Sequence, residues 1–145
     1  MPKRKMKLVV SLPRYPTKRV GTGIRKPGMA WRRTVYEEIR RSAEESDVAP
    51  YPPRAQIECT VRLALDRNRL DLQDVDHLLK HVFDAMQGRL GGPKAQPRGW
   101  HLLPNDYQIR RVTVEKVEAL DRKWGSRLVL TKYVARRRPK AKIAL

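Results

Sequence analysis

The arrangement of hydrophobic and polar residues predicts four strands. The clearest pattern is the strict alternation of apolar and more polar positions from Gln56 to Leu65, which predicts a strand with one buried face. Shorter apolar runs predict further strands at Lys7–Leu12, Gln108–Val117 and Arg127–Val134. We expect the last two strands to form a hairpin with a loose connection at 119–125.

Two other stretches have helical spacing. In Ala30–Glu45 the apolar residues recur every four positions, and the charged residues, Arg32 among them, occupy the rest of the cylinder, so we predict an amphipathic surface helix. In Asp74–Met86 one face is apolar and the other is charged. The apolar positions are Val75, Leu78, Leu79, Val82, Phe83 and Met86, and the charged ones are Asp76, Lys80 and Asp84.

The order of these elements indicates an α+β fold. Strands and helices alternate as β-α-β-α-β-β, which predicts one mixed sheet packed against two main helices. We expect residues 66–69 to form a turn and a polar segment to lead from there into the second helix. The chain has 145 residues, the usual size of one domain, so we predict a single domain over 1–145 with flexible basic ends at 1–6 and 136–145.

The amino-acid composition indicates what class of molecule this protein binds. Lys and Arg number 33 against 15 Asp and Glu, a formal net charge of +18, so we expect a polyanionic partner. Few aromatic residues argue against a platform that stacks many bases. The lone Cys59 lies at a predicted buried strand position and indicates neither a zinc site nor a disulfide framework. Because we find no long apolar run and no secretory signal, we expect a soluble cytoplasmic protein without membrane partners.

Two basic, Pro- and Gly-rich loops are candidate nucleic-acid contacts. The segment Pro13–Gly28 is either a solvated connector or an arm that contacts phosphate, and the sequence leaves both open. The loop Gly88–Pro104 is unusually long for a compact domain, and such loops are commonly functional or disordered. The candidate DNA-binding cations of the two loops are Lys18, Arg19, Arg25, Lys26, Arg89, Lys94 and Arg98.

The charged face of the second helix has the residue types of a metal and phosphate site. Two carboxylates separated by one residue can hold a hard cation that a phosphodiester oxygen shares, and Lys80 follows one turn later. A purely structural account is also open: Asp74 as N-cap, with Asp76–Lys80 and Lys80–Asp84 as ordinary ion pairs on a solvated face. His77 and His81 could bind zinc with Asp84, but we expect both rings to be solvated on a polar face.

Taken with the residues that follow the long loop, the helix resembles the RusA family of Holliday junction resolvases. The family pattern is Asp-x-Asp-Asn-x-x-Lys-x-x-x-Asp-Ala-Leu, then a loop, then Asp-Asp-x-x-Ile and a strand that ends in Lys. The matching residues here are Asp74, Asp76, Lys80, Asp84, Ala85, Met86, Asp106, Ile109 and Lys116. His77 stands where the family has Asn, and Asn105 replaces the first acid of the Asp-Asp pair.

The resemblance implies a RusA-like nuclease domain of bacterial or phage type. Asp74, Asp76 and Asp106 are then the metal-binding carboxylates, and Lys80 is a catalytic cation beside them. Asp84, Asn105 and His77 are possible supporting residues. Oxygen ligands favour Mg²⁺, with Mn²⁺ as a substitute, and clustered carboxylates require such a cation to offset their repulsion.

The resemblance therefore implies a Mg²⁺-dependent, structure-selective endodeoxyribonuclease that resolves Holliday junctions in DNA recombination and repair, and the positive charge is compatible with a DNA substrate. A four-way junction is two-fold symmetric, and paired incisions need two active sites, so we expect a homodimer. Two alternatives stay open: a non-catalytic basic nucleic-acid-binding protein, and a zinc enzyme built on His77 and His81.

Overall fold

The computed structural model describes residues 6–15, 27–72, 74–90, 99–119 and 125–135. Its main elements agree with the predicted α+β order. They are β1 (Leu8–Leu12), α1 (Pro27–Glu45), β2 (Ile57–Leu65), α2 (Arg67–Leu72), α3 (Val75–Met86), β3 (Ile109–Glu118) and β4 (Ser126–Lys132). The prediction of a mixed sheet with two main helices is confirmed. The short helix α2 is an addition, because we predicted a turn and a polar lead-in there.

The four strands form one sheet in the order β1-β4-β2-β3. Strand β4 is antiparallel to both β1 and β2, whereas β2 and β3 are parallel. The predicted hairpin of β3 and β4 is therefore wrong, because β2 lies between them. The connection at 119–125 is too long to impose a tight turn between β3 and β4. Strand β2, which has the most regular apolar pattern, occupies the position between them and pairs with both.

One hydrophobic core lies between the sheet and the two long helices. Alternate residues of β1, β2 and β4 are buried against it, whereas the edge strand β3 has only half-buried and exposed residues. Trp31, Val35, Ile39 and Ala43 of α1 face the core as predicted. Cys59 of β2 is in this core and has no accessible surface, and burial raises the pKa of its thiol to about 12. The opposite face of the sheet carries exposed polar side chains such as Thr60 and Arg62.

Helix α1 is followed, two residues after its end, by a residue in the left-handed conformation. Asp47 has a φ of 56°, and the amide of Val48 donates to the carbonyl oxygen of Ala43 at 2.9 Å. This is the hydrogen bond expected where a helix terminates through a residue with positive φ, a position that favours glycine.

The described part of the long loop returns to the end of α3. The amide of Leu102 donates to the carbonyl of Met86 at 2.9 Å, and the carbonyl of Leu102 accepts from the amide of Tyr51 at 2.7 Å. Leu102 and Leu103 are fully buried. The loop is thus anchored in the core just before Asn105, whereas residues 91–98 lie outside the described part of the chain.

In the described part of the chain, no helix is both long enough and apolar enough to cross a membrane.

Candidate functional site

An open cleft of about 420 Å³ brings together residues that are far apart in the sequence. Its lining residues are Asp76, Leu79, Lys80, Phe83 and Asp84 of α3, together with Asp106 from the start of the β3 region. Three carboxylates and one ammonium group therefore line the same space, together with two apolar side chains. Four of the predicted site residues, Asp76, Lys80, Asp84 and Asp106, are brought together here.

Asp106 begins a short 3₁₀ turn, Asp106–Gln108, that is fixed by the buried side chain of Gln108. The Gln108 amide nitrogen donates to the carbonyl oxygens of Pro52 at 2.8 Å and Ala55 at 3.0 Å. Its amide oxygen accepts from the backbone N–H of Asn105 at 3.2 Å. Gln108 is only 3% exposed, so these bonds replace water and hold Asp106 in place at the cleft.

The contacts required by a purely structural account of the acidic helix are missing. Asp74 occupies the N-cap position of α3, but its side chain makes no capping hydrogen bond within the described residues. Neither Asp76 with Lys80 nor Lys80 with Asp84 is among the ion pairs of the described chain. Asp74, Asp76 and Lys80 are all exposed. Their charged groups therefore remain accessible to a ligand.

Asp84 is paired with a residue of the neighbouring helix. Arg32 Nη2 lies 3.1 Å from Asp84 Oδ2. The same guanidinium donates from Nε to His81 Nδ1 at 3.0 Å and from Nη1 to the carbonyl oxygen of Arg89 at 3.3 Å. Arg32 was placed outside the apolar face of α1, yet it is buried, and its three partners on and after α3 compensate for the loss of water.

His81 is buried, contrary to the prediction that both histidines are solvated. It is 5% exposed and packs edge-on against Trp31 and His77. Burial, with the nearby charges of Arg32, His77 and Lys80, lowers its pKa from 6.5 to about 4. The ring is neutral at pH 7, which leaves Nδ1 free to accept from Arg32. His77 is exposed, as predicted.

The donor set of the cleft consists of oxygens. Of the three carboxylates, only Asp84 is paired with a cation among the described residues, so Asp76 and Asp106 are available there. Oxygen donors suit Mg²⁺ or Mn²⁺. Among the residues described, no three His, Cys, Asp or Glu side chains are gathered closely enough to hold a metal ion together. Asp74 lies one residue before α3 and is not among those that line the cleft.

Lys116, the strand lysine of the sequence pattern, lies outside the cleft. Its Nζ donates to the carbonyl oxygen of Leu70 in α2 at 2.7 Å. Leu70 precedes Asp74, and β3 follows Asp106, so the contact joins the two segments that flank the acidic residues.

The predicted DNA-binding residues are mostly beyond the described ranges. Lys18, Arg19, Arg25, Lys26, Lys94 and Arg98 all lie in segments that the structure does not describe. Arg89 is described and half-buried. Its Nε has no partner within the described residues, while its carbonyl oxygen accepts from Arg32.

Two residues that shape the cleft were missed in the sequence. Gln108 stands three positions after Asn105, and Asn-x-x-Gln is a signature of a capped turn that could have identified it. Arg32 follows the buried Trp31, and its own position gives no signal of burial.

The comparisons with known proteins do not identify a family. No protein-family model and no curated protein matches this chain.

Proposed function

We propose that this protein is a Mg²⁺-dependent endodeoxyribonuclease of the RusA type that cuts four-way DNA junctions. The observation that carries the proposal is the convergence of Asp106 with Asp76 and Lys80 at one cleft. A pair of exposed carboxylates beside an exposed ammonium group, in a chain with a net charge of +18, is suited to a cation and a phosphodiester.

In this proposal, Asp76 and Asp106 hold the cation, and Asp74 is the third ligand that the sequence resemblance implies. When bound, the cation supplies Lewis acidity and offsets negative charge on the phosphate. Lys80 lines the same cleft, where its ammonium group stabilises charge that develops on the phosphoryl oxygens and the departing 3′ oxygen. Asp84 supports the site through Arg32, which fixes α3 to α1.

The basic surface provides affinity for the DNA backbone. Phosphate contacts by Lys and Arg carry little sequence information, so binding should weaken steeply with salt, and selectivity must come from the shape of the DNA or a few base contacts. Cuts on opposite strands of a two-fold symmetric junction require two sites at a fixed separation, for which a homodimer is the simplest arrangement.

The test compares a labelled four-way junction with a linear duplex of the same sequence, each with Mg²⁺ and with chelator. We expect paired cuts in the junction, only with Mg²⁺. Equal cutting of both DNAs, or cutting in chelator, would contradict the proposal. Binding of the junction without any cutting would favour the non-catalytic nucleic-acid-binding alternative.

A further inference from the structure

The turn that carries Asp106 also displays an exposed aromatic ring. Tyr107 is 72% exposed, the highest value among the exposed large hydrophobic residues of the described chain. No described residue stacks on this ring, in contrast to Tyr15, Tyr36 and Tyr133, which each contact a ring or a guanidinium. The aromatic ring of Tyr107, the residue after Asp106, is therefore exposed to solvent.

The turn that carries this ring is held by side-chain hydrogen bonds. Asn105 Nδ2 donates to the hydroxyl of Tyr107 at 3.1 Å, and the backbone of Asn105 is bound by the side chain of Gln108. Gln108 in turn is fixed to the carbonyls of Pro52 and Ala55. A ring on a fixed turn loses little conformational freedom when it stacks on a ligand, which favours binding.

The chemistry around the ring indicates what it binds. Asp106 lines a cleft suited to a cation and a phosphate. Tyr107 does not line this cleft, but consecutive Cα atoms are about 3.8 Å apart, so a polymer that binds at the cleft and continues beyond it passes close to the turn that carries Tyr107. Every nucleobase has a π face that stacks on an aromatic side chain regardless of sequence. A single ring contacts one base, which is compatible with the low aromatic content of the chain.

We propose that Tyr107 stacks on a nucleobase that is unstacked at a branch point, next to the phosphate bound at the cleft, and thereby selects branched over linear DNA. This inference rests on the proposed function. Inside a linear duplex both faces of each base are covered by neighbouring base pairs, so the ring finds no partner there. At the branch of a four-way junction in its open, unstacked form, the stack of base pairs is interrupted, and a base face becomes accessible.

The experiment measures dissociation constants for a four-way junction and a linear duplex in the Asp76→Asn background, which suppresses cutting. We expect Tyr107→Ala to weaken junction binding about 5- to 100-fold and to leave duplex binding unchanged. Tyr107→Phe keeps the ring and should stay within about 3-fold of the parent. Val9→Thr is the control, because Val9 is an exposed apolar residue on β1, the opposite edge strand of the sheet.

A fluorescent base reports the contact itself. A 2-aminopurine placed at the branch point should be quenched by the parent and by Tyr107→Phe, but not by Tyr107→Ala. An unchanged junction constant for Tyr107→Ala, or an equal loss on both DNAs, overturns the inference while leaving the nuclease proposal intact. If the chain binds neither DNA, the proposed function fails together with the inference.

Discussion

Arg32 of α1 and Asp84 of α3 form an ion pair that is shielded from solvent, with side-chain exposures of 10% and 18%. The Arg32 guanidinium also donates to His81 and to the backbone of Arg89, so one side chain has three partners on and after α3. The pair joins the two long helices at the wall of the acidic cleft. Among the described residues, Asp76 and Asp106, the other two carboxylates that line the cleft, have no ion-pair partner.

A double-mutant cycle measures the coupling energy between Arg32 and Asp84. Arg32→Met should lower the free energy of unfolding by about 2–4 kcal/mol, because Asp84 loses its partner in a shielded position. With Asp84→Asn, the coupling energy from urea unfolding should be about 1–3 kcal/mol. Arg40 and Glu44 provide the control, as an exposed pair for which we expect less than about 0.5 kcal/mol. Equal coupling in both pairs would contradict the assigned role.

The low pKa of His81 predicts an acid-sensitive fold. Its pKa is about 4 in the folded chain and 6.5 ordinarily, so the unfolded chain binds more protons between these values. The contribution of His81 to stability is therefore complete above about pH 6.5 and is lost as the pH falls towards 4. Urea unfolding of His81→Gln at several pH values should show a weaker pH dependence than the parent. His77→Gln, which replaces the exposed ring, should keep the pH dependence of the parent's free energy of unfolding.

Asp76→Asn should reduce cleavage of the junction without weakening junction binding. Loss of one cation ligand should reduce junction cleavage by about 10³-fold, while junction affinity is kept or rises because repulsion of phosphate is smaller. Calorimetric titration with Mn²⁺ should show weaker cation binding in the variant. Asp71→Asn is the matched control, since Asp71 is an exposed acid of α2 that does not line the cleft. A fully active Asp76→Asn protein would exclude the proposed site.

Gln108→Leu tests the anchor of the Asp106 turn. The variant removes the Gln108 donor from the carbonyl of Ala55 and from that of Pro52, which still accepts from the amide of Ala55, and we expect a loss of about 1–3 kcal/mol in the free energy of unfolding. Because the turn then moves, Mn²⁺ binding should also weaken at a temperature where the variant is still folded. Retained cation affinity in a folded variant would show that Asp106 does not depend on this anchor.

The end of α1 offers a stabilising substitution. Asp47 has positive φ, which glycine adopts without steric cost, so Asp47→Gly should raise the free energy of unfolding by up to about 1 kcal/mol. Asp47→Val should lower it, because a β-branched side chain is strained there. Thermal unfolding of the two variants beside the parent measures both shifts. The opposite order would mean that the Asp47 side chain contributes more than its backbone conformation costs.

The long helices and strands could be predicted because their apolar residues recur at regular intervals and each repeat faces the same core. Strand β2 and helix α1 each present one face to the core over several repeats, and both were predicted within a few residues. Helix α2 has six residues, fewer than two turns, too few for a period to show. The position of β2 between β3 and β4 is a non-local pairing that no local pattern encodes.

The site was predictable only in part, for a related reason. Helix α3 turns a face that includes His81 and Ala85 to the core, while Leu79 and Phe83 line the cleft. The period of the apolar residues alone predicted a face that excludes His81, because an imidazole is counted as polar. Its burial depends on Arg32 from another helix. The approach of Asp106 to Asp76 was expected from the resemblance to RusA proteins and not from any spacing in this chain.

The inaccessible thiol of Cys59 has a practical consequence for spectroscopy. Since it is the single cysteine of the sequence and is unreactive while the fold is intact, a cysteine introduced on the surface can be labelled selectively with a maleimide dye. One protein preparation can carry a donor dye and another an acceptor dye. Energy transfer between them would report subunit association, and Cys59 would not have to be replaced first.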